Sequence, residues 1–179
     1  MARVVSQEAK QYIQKGRDAC YEQIEILYRT EWQFHGKFGE VKVYFIQDVQ
    51  SDLIIRCETK FRGLSLSELI DYFKMTDKRL AWQGQHYDSL EEVRAYPLDT
   101  SIWYCKLHTS CWPQGLIDSL VVTHGVMVKE GQYYLTSTAC EHHECPPLKP
   151  PNSRLAFKQV SNYFEESHDK QSVKHTYVC

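Results

Sequence analysis

Between Thr138 and Pro147 the chain reads Thr-Ala-Cys-Glu-His-His-Glu-Cys-Pro-Pro, its densest cluster of chemically capable side chains. Cys140, His142, His143 and Cys145 are all zinc-ligand types. Structural zinc takes four such ligands in tetrahedral array, commonly as two pairs from different turns. Here all four lie within six residues, and nothing else in the chain supplies a clean second pair. In an extended strand Cys140 and His142 would share one face and His143 would take the other. The competing reading is a strand end, with Cys140 inward, Glu141 and His143 in solvent, and Pro146-Pro147 stiffening the loop. That reading is favoured, and no metal or cofactor is expected.

Seven cysteines and eight histidines also allow thiol chemistry on paper. No Gly-x-Ser-x-Gly elbow and no Walker loop appears, and no cysteine sits at a helix start. Cys111, followed by Trp112-Pro113, is the candidate for an exposed thiol, and an incidental cysteine there outweighs a catalytic one. No catalytic residue is expected, and the protein is read as a binding protein, not an enzyme. The alternative from another class is a small zinc or thiol enzyme built on residues 140–145.

The elements that must position these groups fit one domain of 179 residues. A net charge of −2 offers no electrostatic case for nucleic acid, which needs clustered cations. No apolar run approaches the roughly 20 residues of a membrane span. The start, Met1-Ala-Arg-Val-Val-Ser, runs into a polar helix pattern and not a signal-peptide core; Ala2 rules out myristoylation, and Cys179 is misplaced for prenylation. Scattered, odd-numbered cysteines without an export signal read as reduced thiols in a cytoplasmic protein. The aromatic content of 13% suits a lined apolar cavity as well as a core.

Ser6 to about Leu27 is helical by period, with Ala9, Ile13, Gly16, Cys20, Ile24 and Leu27 on one stripe. The period then changes to two, giving strands at Glu31–Gly36, Val41–Ile46 and Leu53–Phe61, with turns at Lys37-Phe-Gly and Gln47–Ser51. A helix follows at Ser65–Phe73, opened by the capping box Ser65/Glu68. Strands resume at Leu90–Leu98, Ser101–Thr109, Ser119–Lys129, Gln132–Cys140, Ser153–Phe164 and Val173–Cys179, with a tight hairpin at Lys129-Glu-Gly-Gln. The connection from Ser110 to Asp118 is long enough to have structure of its own. The fold class is α+β, with a long antiparallel meander.

Trp32 opens the first strand, Trp82 follows a helix, and Asp118 opens a strand after an irregular loop. Gly131 at a hairpin, Glu141-His142, Cys145-Pro146-Pro147 and Arg154 complete the succession. In order and spacing it resembles the START domain, the lipid-transfer domain related to the steroidogenic acute regulatory protein, over nearly the whole chain. Two positions depart from that pattern. Gln83 stands where the family usually has Asp after Trp82, and Ile117-Asp118-Ser119 replaces Arg-Asp-Phe, so an arginine common among sterol binders is missing.

The resemblance implies a helix-grip fold, a curved antiparallel sheet around an apolar cavity with an N-terminal helix. It also implies a long C-terminal helix over the tunnel mouth, whereas this sequence stops at Cys179 in the preceding strand. The domain over residues 1–179 is therefore expected to lack that lid, and a membrane or a protein partner is expected to cover the open cavity. The implied function is non-catalytic binding of one lipid, of the sterol or phospholipid/sphingolipid class, with transfer between membranes. A ligand-free interaction module is the alternative.

The resemblance puts a tunnel-facing polar position near Lys106 and another near Thr123, and the lipid contacts are expected at Tyr104, Lys106, His108, Trp112, Leu116, Val121 and Thr123. A buried ammonium needs a partner, either an acid such as Glu92 or an anionic ligand group. With the register shifted by one residue, Lys106 would instead point into water. Trp112 and Leu116 would border the opening or plug the domain's own core.

Overall fold

The computed structural model describes residues 5–47, 53–83, 87–107, 116–156 and 158–179. The chain opens with α1 (Gln7–Leu27), capped by Ser6, whose hydroxyl accepts from the Ala9 N–H. Its apolar stripe becomes a single buried face, Ala9, Ile13, Gly16, Cys20 and Leu27 among it. Three strands follow, β1 (Gln33–Phe38), β2 (Val41–Gln47) and β3 (Leu53–Arg62), then helices α2 (Leu66–Lys74) and α3 (Thr76–Gln83). The remaining strands are β4 (Tyr87–Tyr96), β5 (Thr100–Leu107), β6 (Ile117–Lys129), β7 (Gln132–Ala139), β8 (Ser153–Arg154), β9 (Val160–Glu166) and β10 (Ser172–Val178).

They form one sheet in the order β1-β2-β3-β10-β9-β7-β6-β5-β4, with β8 alongside β6. Hairpin neighbours account for most of this order. The exceptions are β7 with β9, which passes over β8, and β3 with the last strand, with Phe61 opposite Val173 and Cys57 opposite Tyr177. Among the described residues only β8 runs parallel to its neighbour.

Several local signals have the form the sequence requires. Ser65 and Glu68 make both bonds of a capping box at the head of α2. Gly131 holds φ +76° at the β6–β7 hairpin, a conformation that a Cβ disfavours. Others differ from expectation. β1 continues through Lys37 and Phe38, and the turn falls at Gly39, where φ is +59°. The expected strand Ser153–Phe164 is two strands, because β8 stays beside β6 while β9 pairs with β7. Helix α3 was not anticipated, since its eight residues carry too few apolar positions to show a period. The expected Ser110–Asp118 connection lies largely outside the described residues.

The sheet separates two apolar layers. On one face α1 packs over Tyr134, Tyr163 and Val178, and over Ile102, Leu120 and Val122. Gly16 is the point of closest approach: a Cβ there would sit 2.5 Å from the His124 Cβ. On the other face Leu66 and Leu69 of α2 meet Tyr133, Leu135, Phe164 and Val173. Leu80 of α3 packs near Leu90, Trp103, Cys105 and Val121.

Candidate functional site

Between the sheet and α2/α3 the packing is incomplete, leaving a cavity of about 600 Å³. Its floor comes from alternate residues of six strands. Cys105 and Leu107 of β5, Ser119 and Val121 of β6, and Ser137 of β7 form one half. Asn162 of β9, His175 and Tyr177 of β10, and Cys57 and Thr59 of β3 form the other. Phe73, Arg79, Trp82 and Gln83 close it from the helices. The period of two puts every second side chain of each strand into this space and the others under α1. A second depression of about 740 Å³ lies along α1 beside Lys10, Gln14, Asp18 and Gln159. It is polar and open, with no continuous apolar wall.

Three polar groups bear on the cavity's electrostatics: Glu58, which is paired with Arg56 and Lys174, His175 and Arg79. His175 stacks on Phe164 at 4.9 Å and lies against Phe73 at 5.2 Å and Phe61 at 6.0 Å. Its Nε2 is 2.9 Å from the Asn162 Oδ1, so the neutral tautomer with a proton on Nε2 donates there. Removal from water pushes its pKa down to about 4. Arg79 supplies the cavity's cation. Its Nε donates to the Gln83 Oε1 at 3.0 Å and its Nη2 to the Tyr87 hydroxyl at 3.4 Å. The guanidinium lies over the Tyr87 and Trp103 rings, at 5.6 and 5.8 Å. These partners are neutral, so the charge is held by hydrogen bonds and ring faces without a carboxylate among the described residues.

Four of the thiols are poorly suited to nucleophilic attack. Burial raises the pKa of Cys57, Cys105, Cys140 and Cys145, Cys140 to about 11, which holds them protonated at neutral pH.

The residues expected to contact ligand divide by face. Val121 lines the cavity, and Thr123 follows on the same face, 2.9 Å from the Ser137 hydroxyl. Tyr104 and Lys106 share the other face of β5 with Ile102, which packs on the α1 side. Lys106 stands opposite Ser89 and Asp118, not Glu92, and its ammonium is 6.0 Å from the Tyr104 ring. Leu116 is exposed at the entry to β6, its N–H held by the Asn152 Oδ1. His108 and Trp112 lie outside the described residues. Arg79, Asn162 and His175 were not anticipated. The signal for the right face was available in β5, where Trp103, Cys105 and Leu107 carry no charge and the alternate set includes Lys106.

Several of the sequence markers meet at one place on the α1 side. Arg154 grips the fully buried Asp118 with two parallel bonds, Nε to Oδ1 at 3.0 Å and Nη2 to Oδ2 at 2.7 Å. The same guanidinium donates to the Cys145 and Pro146 carbonyls. Tyr104 lies beneath it at 5.9 Å, its phenol pushed up to about 12 by burial and by Asp118. The four zinc-type residues do not converge. Cys140 is buried with Ile102, Leu120 and Val122, and Cys145 packs at the edge of that layer. His142 and His143 instead meet Glu8 of α1.

A helix behind a largely antiparallel sheet, with two helices over a cavity in its front, defines the helix-grip class. Within that class the chain has the START fold. It superimposes on human StAR-related lipid transfer protein 5 with a TM-score of 0.80, at 16% identity, over 94% of this chain and 81% of that one. Human STARD10 matches with a TM-score of 0.76 at 15% identity, over 90% of this chain and 65% of that one. A StAR-related lipid transfer protein from Xanthomonas axonopodis gives 0.66 at 15% identity, over 83% and 80%. No protein-family model and no curated protein matches the sequence.

Proposed function

We propose that the protein binds a single lipid in the cavity between the sheet and α2/α3, without catalysis. The observation that carries this reading is the cavity itself, about 600 Å³ with largely apolar walls, in a fold whose solved examples are called lipid transfer proteins. Burying the lipid's apolar part gains roughly 25 cal/mol per Å² removed from water. Phe73, Leu107, Val121 and Trp82 supply that surface. Arg79 is the group for the polar head. A guanidinium whose partners among the described residues are neutral favours a head that accepts two hydrogen bonds, a phosphate or a carboxylate. That chemistry points to the phospholipid side of the expected classes over the sterol side.

Trp82 and Leu155 both line the cavity and are 44% and 47% exposed. They form an apolar rim suited to transient contact with a membrane during loading, or with a protein partner over the opening. No helix among the described residues is long and apolar enough to cross a membrane. A cytoplasmic setting is proposed on the scattered cysteines, six of which are free.

Native mass spectrometry of the purified chain tests the reading. A co-purified species of lipid mass is expected, and Leu107→Trp should displace it by filling the cavity while leaving circular dichroism unchanged. An apo mass after expression in both bacterial and eukaryotic cells, and after incubation with mixed phospholipid vesicles, would refute lipid binding.

A further inference from the structure

The Cys-Glu-His-His-Glu string keeps one piece of chemistry that the lipid cavity does not use. It lies under the first turn of α1, among the residues that line a shallow recess there, Glu8, Tyr12, His142 and His143 among them. We infer that Glu8, His142 and His143 form a binding site for a divalent transition-metal ion of the zinc class, clipping the start of α1 to the β7–β8 loop.

The backbone makes this possible. In a strand the two histidines would point to opposite faces. After β7 the chain turns, with the Cys145 N–H donating to the His142 carbonyl at 3.0 Å. This puts the two rings on the same side, centroids 4.5 Å apart and 35° between planes. Both then face one carboxylate, with His142 Nε2 at 3.2 Å and His143 Nδ1 at 3.9 Å from the Glu8 Oε1. The three ligand atoms all lie within 4.8 Å of one another. Zinc bonds of about 2.0–2.2 Å give tetrahedral edges of roughly 3.3–3.6 Å, so small rotations about the exposed side chains close the set. Two imidazoles and a carboxylate suit zinc, nickel or copper better than calcium or magnesium.

The surroundings supply what such a site needs. His142 is the anchor, its side chain fully buried, with the Tyr12 ring at 5.7 Å. Glu8 and His143 are 42% and 72% exposed, which leaves the remaining coordination positions to water. Without an ion, the Glu144 N–H donates to the His142 Nδ1 at 3.3 Å, so Nε2 carries the proton and shares it with Glu8. Coordination through Nε2 needs the other tautomer, with the proton on Nδ1. The Glu144 carboxylate stands 3.9 Å from Nδ1 and can take that hydrogen bond, giving a carboxylate–histidine–metal arrangement. Arg94 pairs with the same carboxylate and holds it in place.

Zinc titrated calorimetrically into the full chain tests the inference, with Co²⁺ as a spectroscopic probe. One equivalent is expected to bind with micromolar affinity, and saturating zinc should raise the melting temperature. His143→Ala and Glu8→Gln should each weaken binding by about tenfold or more and abolish the thermal shift. Both side chains are exposed enough that circular dichroism should not change. The Co²⁺ spectrum should show nitrogen and oxygen ligands only. Absence of binding, equal affinity in the variants, or a sulfur charge-transfer band from cysteine coordination would each overturn the assignment.

Discussion

Acidification should destabilise this protein through one residue of the cavity wall, His175. Its imidazole is neutral in the native state because Phe61, Phe73 and Phe164 exclude water from around it. Its pKa falls from 6.5 to about 4 on folding. The unfolded chain therefore takes up a proton below pH ~6.5 that the native state refuses until about pH 4. The contribution is complete above the unfolded pKa, is lost progressively as pH falls, and has gone below the folded pKa. At 1.36 kcal/mol per pKa unit the whole effect is at most about 3 kcal/mol, and roughly 2 kcal/mol of it disappears between pH 7 and pH 5. The assay is urea unfolding of wild type and His175→Phe at both pH values. Phenylalanine keeps a ring among the other rings and loses the bond to Asn162, a cost of about 1 kcal/mol at either pH. His124, also depressed by burial, titrates in both proteins and cancels in the comparison. The variant should lose markedly less stability on acidification. An equal loss in both proteins would refute the reasoning.

Arg154→Ala should cost about 3–5 kcal/mol of unfolding free energy measured in urea, because it strands the buried Asp118 carboxylate, and Arg154→Lys should recover only part by restoring charge without the fork. Gly16→Ala would add about 1 kcal/mol to an exposed helix, yet here it should lower thermal stability by roughly 1–3 kcal/mol, since the new methyl meets the His124 Cβ. Arg79→Met should weaken binding of an anionic lipid by about tenfold or more in a fluorescent-lipid displacement assay, with a neutral lipid little affected. Equal weakening of both lipids would remove Arg79 from head-group recognition.

Most of the elements were legible because their signals are local. The α1 stripe, the Ser65/Glu68 box and the Gly131 hairpin each require only a few consecutive residues. The face of a strand that lines a cavity is a different kind of property. On β5 both faces are partly apolar, since one packs under α1 and the other borders the cavity, and alternation alone does not say which is which. Tyr104 and Lys106 therefore read as plausible lining until their face is seen to be the one that carries Ile102, turned away from the cavity. Arg79 was hidden for a second reason: α3 is short and charged, and its helix is held by packing against β4 and α2.

The sequence by itself determined the class of fold, the succession of its elements, and the residue types that mark it: Trp32, Trp82, Asp118, Gly131 and Arg154. Tertiary structure decided what those residues do. It joined Asp118, Arg154, Cys145 and Pro146 into one clamp, united the two parts of the sheet by pairing β3 with β10, and turned His142 and His143 toward a glutamate at the far end of the chain. The Asp118–Arg154, β3–β10 and Glu8–histidine contacts link segments distant in sequence. The chain encodes them only through the summed packing of both sheet faces, which no local period records.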